Sequence, residues 1–406
     1  MNDLYHPLRS LGEGNWFKLI CGASFQHLPS VRNLTLAYTL AGVDCVDVAA
    51  DPAVVNAAKE ALQVACHIAG RHPELGVGFS YRPWLMVSLN DSEDPHFRKV
   101  EFDPNACPPD CSRPCERICP AQAIVFNRPE DRFSGVVDSR CYGCGRCLPV
   151  CPVSQISTRS YVATPAAIAP LVLEGIDAIE IHTQVGRLAD FKRLWQAIIP
   201  WIPQLQLVAI SCPDGEGLID YLRSICDVIT PLPTALVWQT DGRPMSGDIG
   251  KGATRAAVKL GERVLAADLP GYVQLAGGTN QHTVAKLRSM GLLNNQQSVT
   301  STCNQNRYIA GIAYGSYARV LLAPVLDQLE DLATPEVGSM HQHLSLSASN
   351  RLSSRLESVP ELLFQAVSLA HALIGQLKLP MMAETEPLSM QKLPAMNCPA
   401  SNSVNC

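Results

Sequence analysis

Eight short apolar segments alternate with longer segments of helical periodicity along most of this 406-residue chain. This pattern predicts buried strands joined by helices, as in a parallel α/β fold. Apart from one cysteine-rich stretch, the segments span close to the roughly 250 residues of a (β/α)8 barrel. We predict a (β/α)8 TIM-like barrel, with an open doubly wound α/β sheet as the alternative. The predicted strands are WFKLICGA from Trp16, CVDVAA from Cys45, WLMVSLN from Trp84, DAIEIHT from Asp177, LQLVAISC from Leu205, TALVWQT from Thr234, GYVQLAGG from Gly271 and YIAGIAYGS from Tyr308.

Two runs of four cysteines interrupt this alternation after the third strand. The second run, CYGCGRCLPVCP (141–152), has the C-x2-C-x2-C-x3-C-P spacing that wraps an iron–sulfur cluster in bacterial ferredoxins. The first run, CPPDCSRPCERICP (107–120), also ends in C-P but has three residues in every interval. Soft thiolates suit iron–sulfur clusters, and a zinc ribbon is the alternative. The predicted ligands are Cys107, Cys111, Cys115, Cys119, Cys141, Cys144, Cys147 and Cys151.

The spacing also predicts how two clusters would share these ligands. In two-cluster ferredoxins the fourth cysteine of each run binds the other cluster. Cys119 would then complete the cluster of the second run, and Cys151 that of the first. We expect one [4Fe-4S] cluster, and a second cluster that is either [4Fe-4S] or, because the first run departs from the standard spacing, [3Fe-4S]. Since the loop after strand three belongs to the C-terminal face of a barrel, the clusters would lie over the barrel mouth.

Charge and hydropathy bear on partners and location. The formal net charge of −5, without any block of lysine or arginine, gives no electrostatic footprint for nucleic acid. No apolar run reaches the roughly 18 residues of a membrane span, and the first residues lack the pattern of a secretory signal. Sixteen cysteines in such a chain indicate reduced thiols and metal rather than disulfides. We therefore expect a cytoplasmic protein.

Composition shifts divide the chain into five predicted units. The segment VPELLFQAVSLAHALIGQLKL near the C-terminus has helical spacing and predicts a helix packed on the barrel. The last stretch is rich in Pro, Ser, Asn and Met and is predicted to be disordered. The units are 1–90 (strands one to three), 91–160 (ferredoxin-like iron–sulfur module), 161–330 (strands four to eight), 331–380 (C-terminal helical extension) and 381–406 (tail).

Alternation along the strands predicts an ionic group inside the barrel. In strand four, Glu180 and His182 share one face, and Lys18 and Asp47 point inward by the same pattern. Buried charges must be paired. The group is therefore either a structural salt-bridge network or an acid-base set, and His182, at the carboxyl end of its strand, is the residue placed best for catalysis.

Glycines after strands seven and eight suggest an anion site. Gly277, Gly278 and Gly315 follow these strands, where many barrels bind phosphate through backbone N–H groups. A flavin phosphate is one candidate ligand, and ordinary tight turns are the alternative. The polar segment after strand six, with Asp241, is predicted to be a binding loop or lid. No P-loop, G-x-S-x-G or H-E-x-x-H motif is present in the sequence.

Several long stretches resemble a known family. WFKLICGASFQHLPSVRNLTLAYTLAGVDCVDVAADPAVVNAA, DCSRPCERICPAQAI, CYGCGRCLPVCP and VWQTDGRPMSGDIGKGATRAA closely resemble the cyanobacterial light-dependent period (LdpA) family, over roughly residues 10–330. The resemblance implies an iron–sulfur protein that senses cellular redox state, as a proxy for light, in an input pathway to the Kai circadian clock. It also implies that the eight cysteines are the cluster ligands, and that clock components, including the CikA histidine kinase, are partners.

Three functions fit these observations, and we rank them from the most to the least favoured. The first is a redox sensor whose clusters change its interactions with partners, which would not be an enzyme. The second is an iron–sulfur, flavin-dependent oxidoreductase with its active site at the barrel mouth. The third is a simple electron carrier, which leaves the large barrel without a role.

Overall fold

Eight parallel strands form a closed barrel in this computed structural model, with helices around the outside. The closed barrel confirms the predicted TIM-like fold and excludes the open sheet. All eight predicted strands are present. The structure describes residues 5–22, 27–76, 78–91, 98–119, 122–129, 131–137, 140–141, 147–160, 165–242, 252–294, 308–333 and 355–378.

The strands of the described residues fall into a barrel set and an inserted set. Four short strands, β4 to β7, lie between the third and fourth strands of the barrel. In chain order the strands are β1 (Trp16–Gly22), β2 (Cys45–Ala49), β3 (Trp84–Asn90), β4 (Arg98–Glu101), β5 (Ile124–Val125), β6 (Gly135–Val136), β7 (Ser157–Ser160), β8 (Ala178–His182), β9 (Leu207–Pro213), β10 (Leu236–Asp241), β11 (Tyr272–Ala276) and β12 (Gly311–Tyr314).

Helices follow the barrel strands, and their apolar faces pack against the outside of the sheet. In chain order they are α1 (Tyr5–Glu13), α2 (Leu28–Leu40), α3 (Pro52–Arg71), α4 (Pro114–Ile118), α5 (Pro165–Val172), α6 (Leu188–Ile198), α7 (Leu218–Val228), α8 (Ala253–Leu265), α9 (Thr283–Ser289), α10 (Ser316–Ala333) and α11 (Pro360–Lys378). The α11 helix packs against α10 and α2. The predicted tail, 381–406, lies outside the described residues.

The register shows that the cysteine-rich segment is an insertion into the barrel. Strand β3 pairs directly with β8, from Met86 opposite Ala178 to Asn90 opposite His182. The barrel is therefore continuous across the insertion. Because the segment leaves after the carboxyl end of β3, it begins at the face of the barrel where the active sites of this fold are built.

Two apolar cores lie on the two sides of the barrel wall, one outside and one inside. The larger core lies between the strands and the outer helices, and includes Phe17, Leu19 and Tyr314. A smaller core fills the amino-terminal end of the interior, where the Trp16 and Trp84 rings meet edge to face at 5.7 Å. Closer to the carboxyl ends of the strands, many of the side chains inside the barrel are polar. This change from apolar to polar filling marks the C-terminal half of the interior as the place for chemistry.

Candidate metal centre

A two-stranded antiparallel sheet closes the cysteine-rich module. Strand β4, which enters the module, pairs with β7, which leaves it, from Arg98 opposite Ser160 to Glu101 opposite Ser157. The hairpin β5–β6 forms a second small sheet between the two cysteine runs. One small sheet therefore joins the two ends of the module, and the other lies in sequence between its two cysteine runs.

The cysteines and a few apolar side chains share one small core. Cys115, Cys141 and Cys147 are buried in it, and Cys119 and Cys151 pack against it. Its apolar members come from β4, from the hairpin and from the segment before β7, with Val100, Ala123, Ile124 and Ile156 all buried. Both runs therefore face the same interior. Cys144 lies outside the described residues.

The first run and the last cysteine of the second run are electrostatic neighbours. Burial raises the pKa of Cys107, and the nearby thiols of Cys111 and Cys151 raise it further. Burial also raises the pKa of Cys115, with further contributions from Cys151 and Cys107. Cys151 also packs against the core in which Cys115 is buried, as the crossed arrangement requires. Which cysteine binds which cluster stays a prediction.

The fourth cysteine of each run accepts a backbone hydrogen bond in the same local geometry. Ala123 N donates to Cys119 Sγ at 3.2 Å, and Gln155 N donates to Cys151 Sγ at 3.3 Å, in both cases from the residue four positions later. Burial alone would raise the pKa of Cys151, but backbone N–H groups from residues 153–156 outweigh it and lower the pKa. These donors stabilise the thiolate, the form that binds metal.

A helix and a left-handed residue accommodate the longer spacing of the first run. Pro114 begins helix α4, and Cys115 and Cys119 lie four positions apart at its start and its end. Arg113, just before the helix, has a left-handed backbone with φ 53°. Its guanidinium stacks 4.3 Å from the centre of the Phe126 ring in the hairpin. This stacking connects the first run to the spacer between the runs.

The donor set fits an iron–sulfur group. Thiols of both runs share one interior, one fourth-position thiolate is stabilised by several N–H groups, and Cys107, Cys111, Cys115, Cys119 and Cys151 form no disulfide. Hydrogen bonds to sulfur are also among the features that set cluster potentials. Among the described residues, which leave out Cys144, no three His, Cys, Asp or Glu side chains are grouped to hold a single metal ion.

One buried ion pair ties the module to the barrel. Lys99 of β4 lies with its Nζ 3.2 Å from Asp51 Oδ2, and both side chains are almost wholly buried. The other oxygen of Asp51 caps helix α3 by accepting from Ala53 N at 2.8 Å and Val54 N at 3.2 Å. Since Asp51 follows β2, the module is anchored at the C-terminal end of a neighbouring strand. No pattern in the sequence indicates this pair.

Inside the barrel, the structure brings the predicted ionic group together. Lys18 Nζ contacts Glu180 Oε2 and lies 3.0 Å from Asp47 Oδ2, and all three side chains are buried. Burial lowers the pKa of Lys18, but the charges of Asp47 and Glu180 outweigh it and raise the pKa overall. Burial raises the pKa of Asp47 to about 6. Lys18 is thus a fixed cation, unsuited to act as a neutral nucleophile.

Glutamines extend this group around the interior. Gln239 Nε2 donates to Glu180 Oε1 at 2.6 Å, and Gln274 Nε2 donates to Gln239 Oε1 at 2.7 Å. Trp16 Nε1 donates to Gln274 Oε1 at 2.6 Å. This series of hydrogen bonds therefore ends at the apolar core that fills the amino-terminal end of the interior. Sequence analysis missed both glutamines, although each occupies the inward position of its strand by alternation.

His182 and Asp241 lie one layer nearer the mouth. His182 Nε2 is 3.1 Å from Glu180 Oε1, and its side chain keeps 20% of its exposure. Asp241 is the last residue of β10, so its assignment to the following loop is wrong: pairing with β9 and β11 continues through this residue. Its Oδ2 accepts from the Ser211 hydroxyl. The rest of the predicted loop, 243–251, lies outside the described residues.

The predicted anion site has the backbone of a tight turn. Gly277 and Gly278 follow β11 with φ of 58° and 100°, a region that favours glycine. Gly315 follows β12, and a Cβ there would meet nothing closer than 3.6 Å. The turn explains the first two glycines without a ligand, and a phosphate or flavin at this position stays a prediction.

Comparison with known proteins decides the family. Residues 171–376 match the Light dependent period A C-terminal domain, and residues 107–162 match the LdpA Fe-S cluster-binding domain. Light dependent period A of Synechococcus elongatus is 50% identical over 373 residues, which cover 92% of this chain and 94% of that protein. The chain belongs to the LdpA family.

A second relative matches a short part of this LdpA family member. An uncharacterized ferredoxin of Methanocaldococcus jannaschii is 36% identical over 66 residues, which are 16% of this chain and 42% of that ferredoxin. This similarity to a ferredoxin supports an iron–sulfur cofactor. No helix in the described parts of the chain is long and apolar enough to cross a membrane.

Proposed function

We propose that this LdpA family member is an iron–sulfur redox sensor in an input pathway to the Kai circadian clock. The observation that carries the proposal is the module itself: two cysteine runs that share one core, with backbone N–H groups directed at the fourth thiolate of each. Bound clusters supply one-electron redox chemistry. The clock assignment comes from the relationship to Light dependent period A.

The ligand sets follow the crossed arrangement. Cys141, Cys144, Cys147 and Cys119 would hold a [4Fe-4S] cluster, and Cys107, Cys111, Cys115 and Cys151 a second [4Fe-4S] or a [3Fe-4S] cluster. The proximity of Cys151 to Cys107 and Cys115 supports the second set. In this proposal, cluster redox state or occupancy changes the surface of the module, and with it the binding of clock components such as CikA in the cytoplasm.

Binding to a purified partner under controlled redox conditions tests the sensor. The anaerobically purified protein, oxidised or reduced with dithionite, is titrated against the CikA kinase and against each Kai protein. We expect at least one of these affinities to differ between the two states, and Cys147→Ser to remove the difference along with part of the iron. Cys226→Ser is the matched control, because Cys226 lies on helix α7 of the barrel. Equal affinities in both redox states for every one of these partners would contradict the proposal.

A second candidate, a flavin-dependent oxidoreductase, is favoured by one observation. Buried ionisable side chains converge at the C-terminal half of the barrel, around Lys18, Asp47 and Glu180. Active sites of this fold lie at that end. Stoichiometric flavin in the purified protein, lost when Gly277 and Gly278 are replaced by valine, would move this function to first place.

A further inference from the structure

The predicted cluster ligands differ in how far the module covers them. Cys141 and Cys147 of the second run are 4% and 5% exposed, and Cys115 of the first run is 6% exposed. Cys107 and Cys111 are more exposed than these three. Of the seven ligands that the structure describes, Cys107 and Cys111 are also the two that neither belong to the core of the module nor pack against it. One edge of the ligand set therefore faces water.

The local backbone sets Cys111 apart from Cys107. Cys107 directly follows the short 3₁₀ helix Pro104–Ala106 and donates its backbone N–H back into that helix at 3.4 Å. Cys111 lies in the loop between this short helix and α4, and its neighbours on both sides, Asp110 and Ser112, are exposed. Of the two ligands at this edge, Cys111 is therefore the one in the more open segment.

The other part-exposed ligands, Cys119 and Cys151, are held differently. Both pack against the module core. Each sulfur also accepts a backbone hydrogen bond, Cys119 from Ala123 N at 3.2 Å and Cys151 from Gln155 N at 3.3 Å. Such donors stabilise the thiolate that binds iron. Both positions therefore favour retention of the metal.

Burial decides which ligand can give up its iron. When iron leaves, the sulfur remains as an uncoordinated thiolate, and the ion itself must pass into water. An unpaired charge in an apolar environment is costly. Cys141 and Cys147 share their core with Val100 and Ile124, so this step is unfavourable there. At Cys111, water can hydrate both the thiolate and the departing ion.

We propose that Cys111 is the ligand that releases iron when a soluble one-electron oxidant reaches the module, so that iron occupancy at this edge is the state that the sensor reads. In the balanced step, [4Fe-4S]²⁺ gives one electron to the oxidant and one Fe²⁺ to water and becomes [3Fe-4S]⁺, while the freed Cys111 thiolate takes up a proton from solvent. Cys107, Cys115 and, in the crossed arrangement, Cys151 keep the other three irons. This inference rests on the proposed function, because it requires bound clusters.

Alkylation of the freed thiol tests this assignment. The anaerobic, cluster-loaded, full-length protein receives about one equivalent of ferricyanide and then iodoacetamide, and mass spectrometry measures the label on each cysteine. We expect release of about one Fe²⁺ per chain and about ten times more label on Cys111 than on Cys141 or Cys147. Electron paramagnetic resonance of the same sample should show a three-iron signal while the other cluster remains. Cys226, a free thiol on helix α7, should be labelled equally with and without oxidant.

Iron content of serine variants gives an independent measurement. Cys111→Ser should purify with at most about one iron fewer than wild type, because the other three ligands of that cluster remain. Cys141→Ser removes a buried ligand and should lose most of a cluster, or about four irons. If Cys141→Ser does not fold, Cys111→Ser against wild type still decides, since loss of a whole cluster there would contradict the proposal. In a protein isolated with a three-iron cluster, Cys111 should be labelled without oxidant, and Fe²⁺ added with dithionite should protect it.

Two further results would overturn the proposal. One is label on Cys107, Cys141 or Cys147 ahead of Cys111, and the other is release of iron while Cys111 stays protected. Either result can occur in a protein that holds two clusters and binds a partner in a redox-dependent way, so the proposed function would stand. A protein without iron and sulfide would instead contradict the proposed function, and this inference with it.

Discussion

Arg32 and Glu357 form a buried, two-pronged ion pair between segments 325 residues apart in sequence. Arg32 Nη1 lies 2.9 Å from Glu357 Oε2, and Nη2 lies 2.5 Å from Oε1. The pair fixes the start of the C-terminal segment 355–378 against helix α2. Helix α11 is therefore held to the barrel by charge at its beginning, and by Lys378, whose Nζ lies 2.7 Å from Asp44 Oδ1, at its end.

Replacement of Glu357 should destabilise the protein strongly. Glu357→Gln removes the buried counter-charge of Arg32 and leaves only the half-exposed carboxylate of Glu60, 3.4 Å away, so the cost should approach the about 3–5 kcal/mol of a broken buried ion pair. We expect a loss of this size in the free energy of unfolding, measured by urea denaturation. Glu174→Gln, at an exposed carboxylate, should change it by no more than about 0.5 kcal/mol. Equal effects of the two substitutions would show that the ion pair contributes nothing.

The contribution of Glu357 should disappear in acid. Burial alone would raise the pKa of Glu357, but the hydrogen bonds and charge of Arg32 outweigh it and lower the pKa. Because the folded pKa lies below the unfolded one, the stabilisation is present above the ordinary glutamate pKa of about 4.3 and is lost as the pH falls through the folded value. Urea denaturation at a series of pH values should therefore show the difference between wild type and Glu357→Gln closing below about pH 4. A difference that stays constant down to pH 3 would contradict this.

Removal of Lys18 should be costly, and removal of Glu180 as well should recover part of the cost. Lys18→Met leaves Asp47 and Glu180 buried without the lysine charge, so we expect a loss of about 3–5 kcal/mol or failure to fold. Adding Glu180→Gln removes one of the stranded charges, so the double variant should be more stable than Lys18→Met alone. The free energies of unfolding of the two single variants and the double variant measure this coupling. Simple additivity would indicate that the two side chains do not interact.

Loss of Lys99 should loosen the module without unfolding the barrel. Lys99→Gln leaves Asp51 buried without the Lys99 charge, and only β4 is attached through this pair. Hydrogen exchange should then accelerate for backbone amides of the β4–β7 sheet, while amides of β9 and β10 keep their protection. Lys259→Gln, on the exposed face of α8, is the control. Unchanged exchange in β4 and β7 would contradict the anchoring role.

Sequence pattern predicted the barrel well because of how its strands are buried. Parallel strands covered on both faces read as nearly continuous apolar runs. Trp84–Asn90 and Leu207–Pro213 are of this kind, with almost every residue buried. Where a polar residue interrupts such a run at an inward position, as at Lys18, Asp47 and Glu180, alternation was enough to predict the contact.

Contacts between segments far apart in the chain could not be predicted from the pattern of apolar and polar residues. Nothing in the sequence pairs Arg32 with Glu357 or Lys99 with Asp51, because each pair depends on how separate elements pack. Asp241 was assigned to a loop because polar residues follow it, whereas hydrogen bonding to two neighbouring strands keeps it in β10. The cysteine spacing predicts eight metal ligands, and this stays a prediction; the fold adds that Cys151 packs against the core in which Cys115 is buried.

We propose that the two cysteine runs hold two iron–sulfur clusters. The most direct test is to purify the protein without oxygen and to measure iron and acid-labile sulfide per chain, with electron paramagnetic resonance before and after dithionite. We expect about seven to eight irons with matching sulfide, since two cubanes hold on the order of eight, and a resonance signal in the oxidised sample if one cluster is a three-iron form. Zinc without iron and sulfide, or iron sufficient for only one cluster, would contradict the claim.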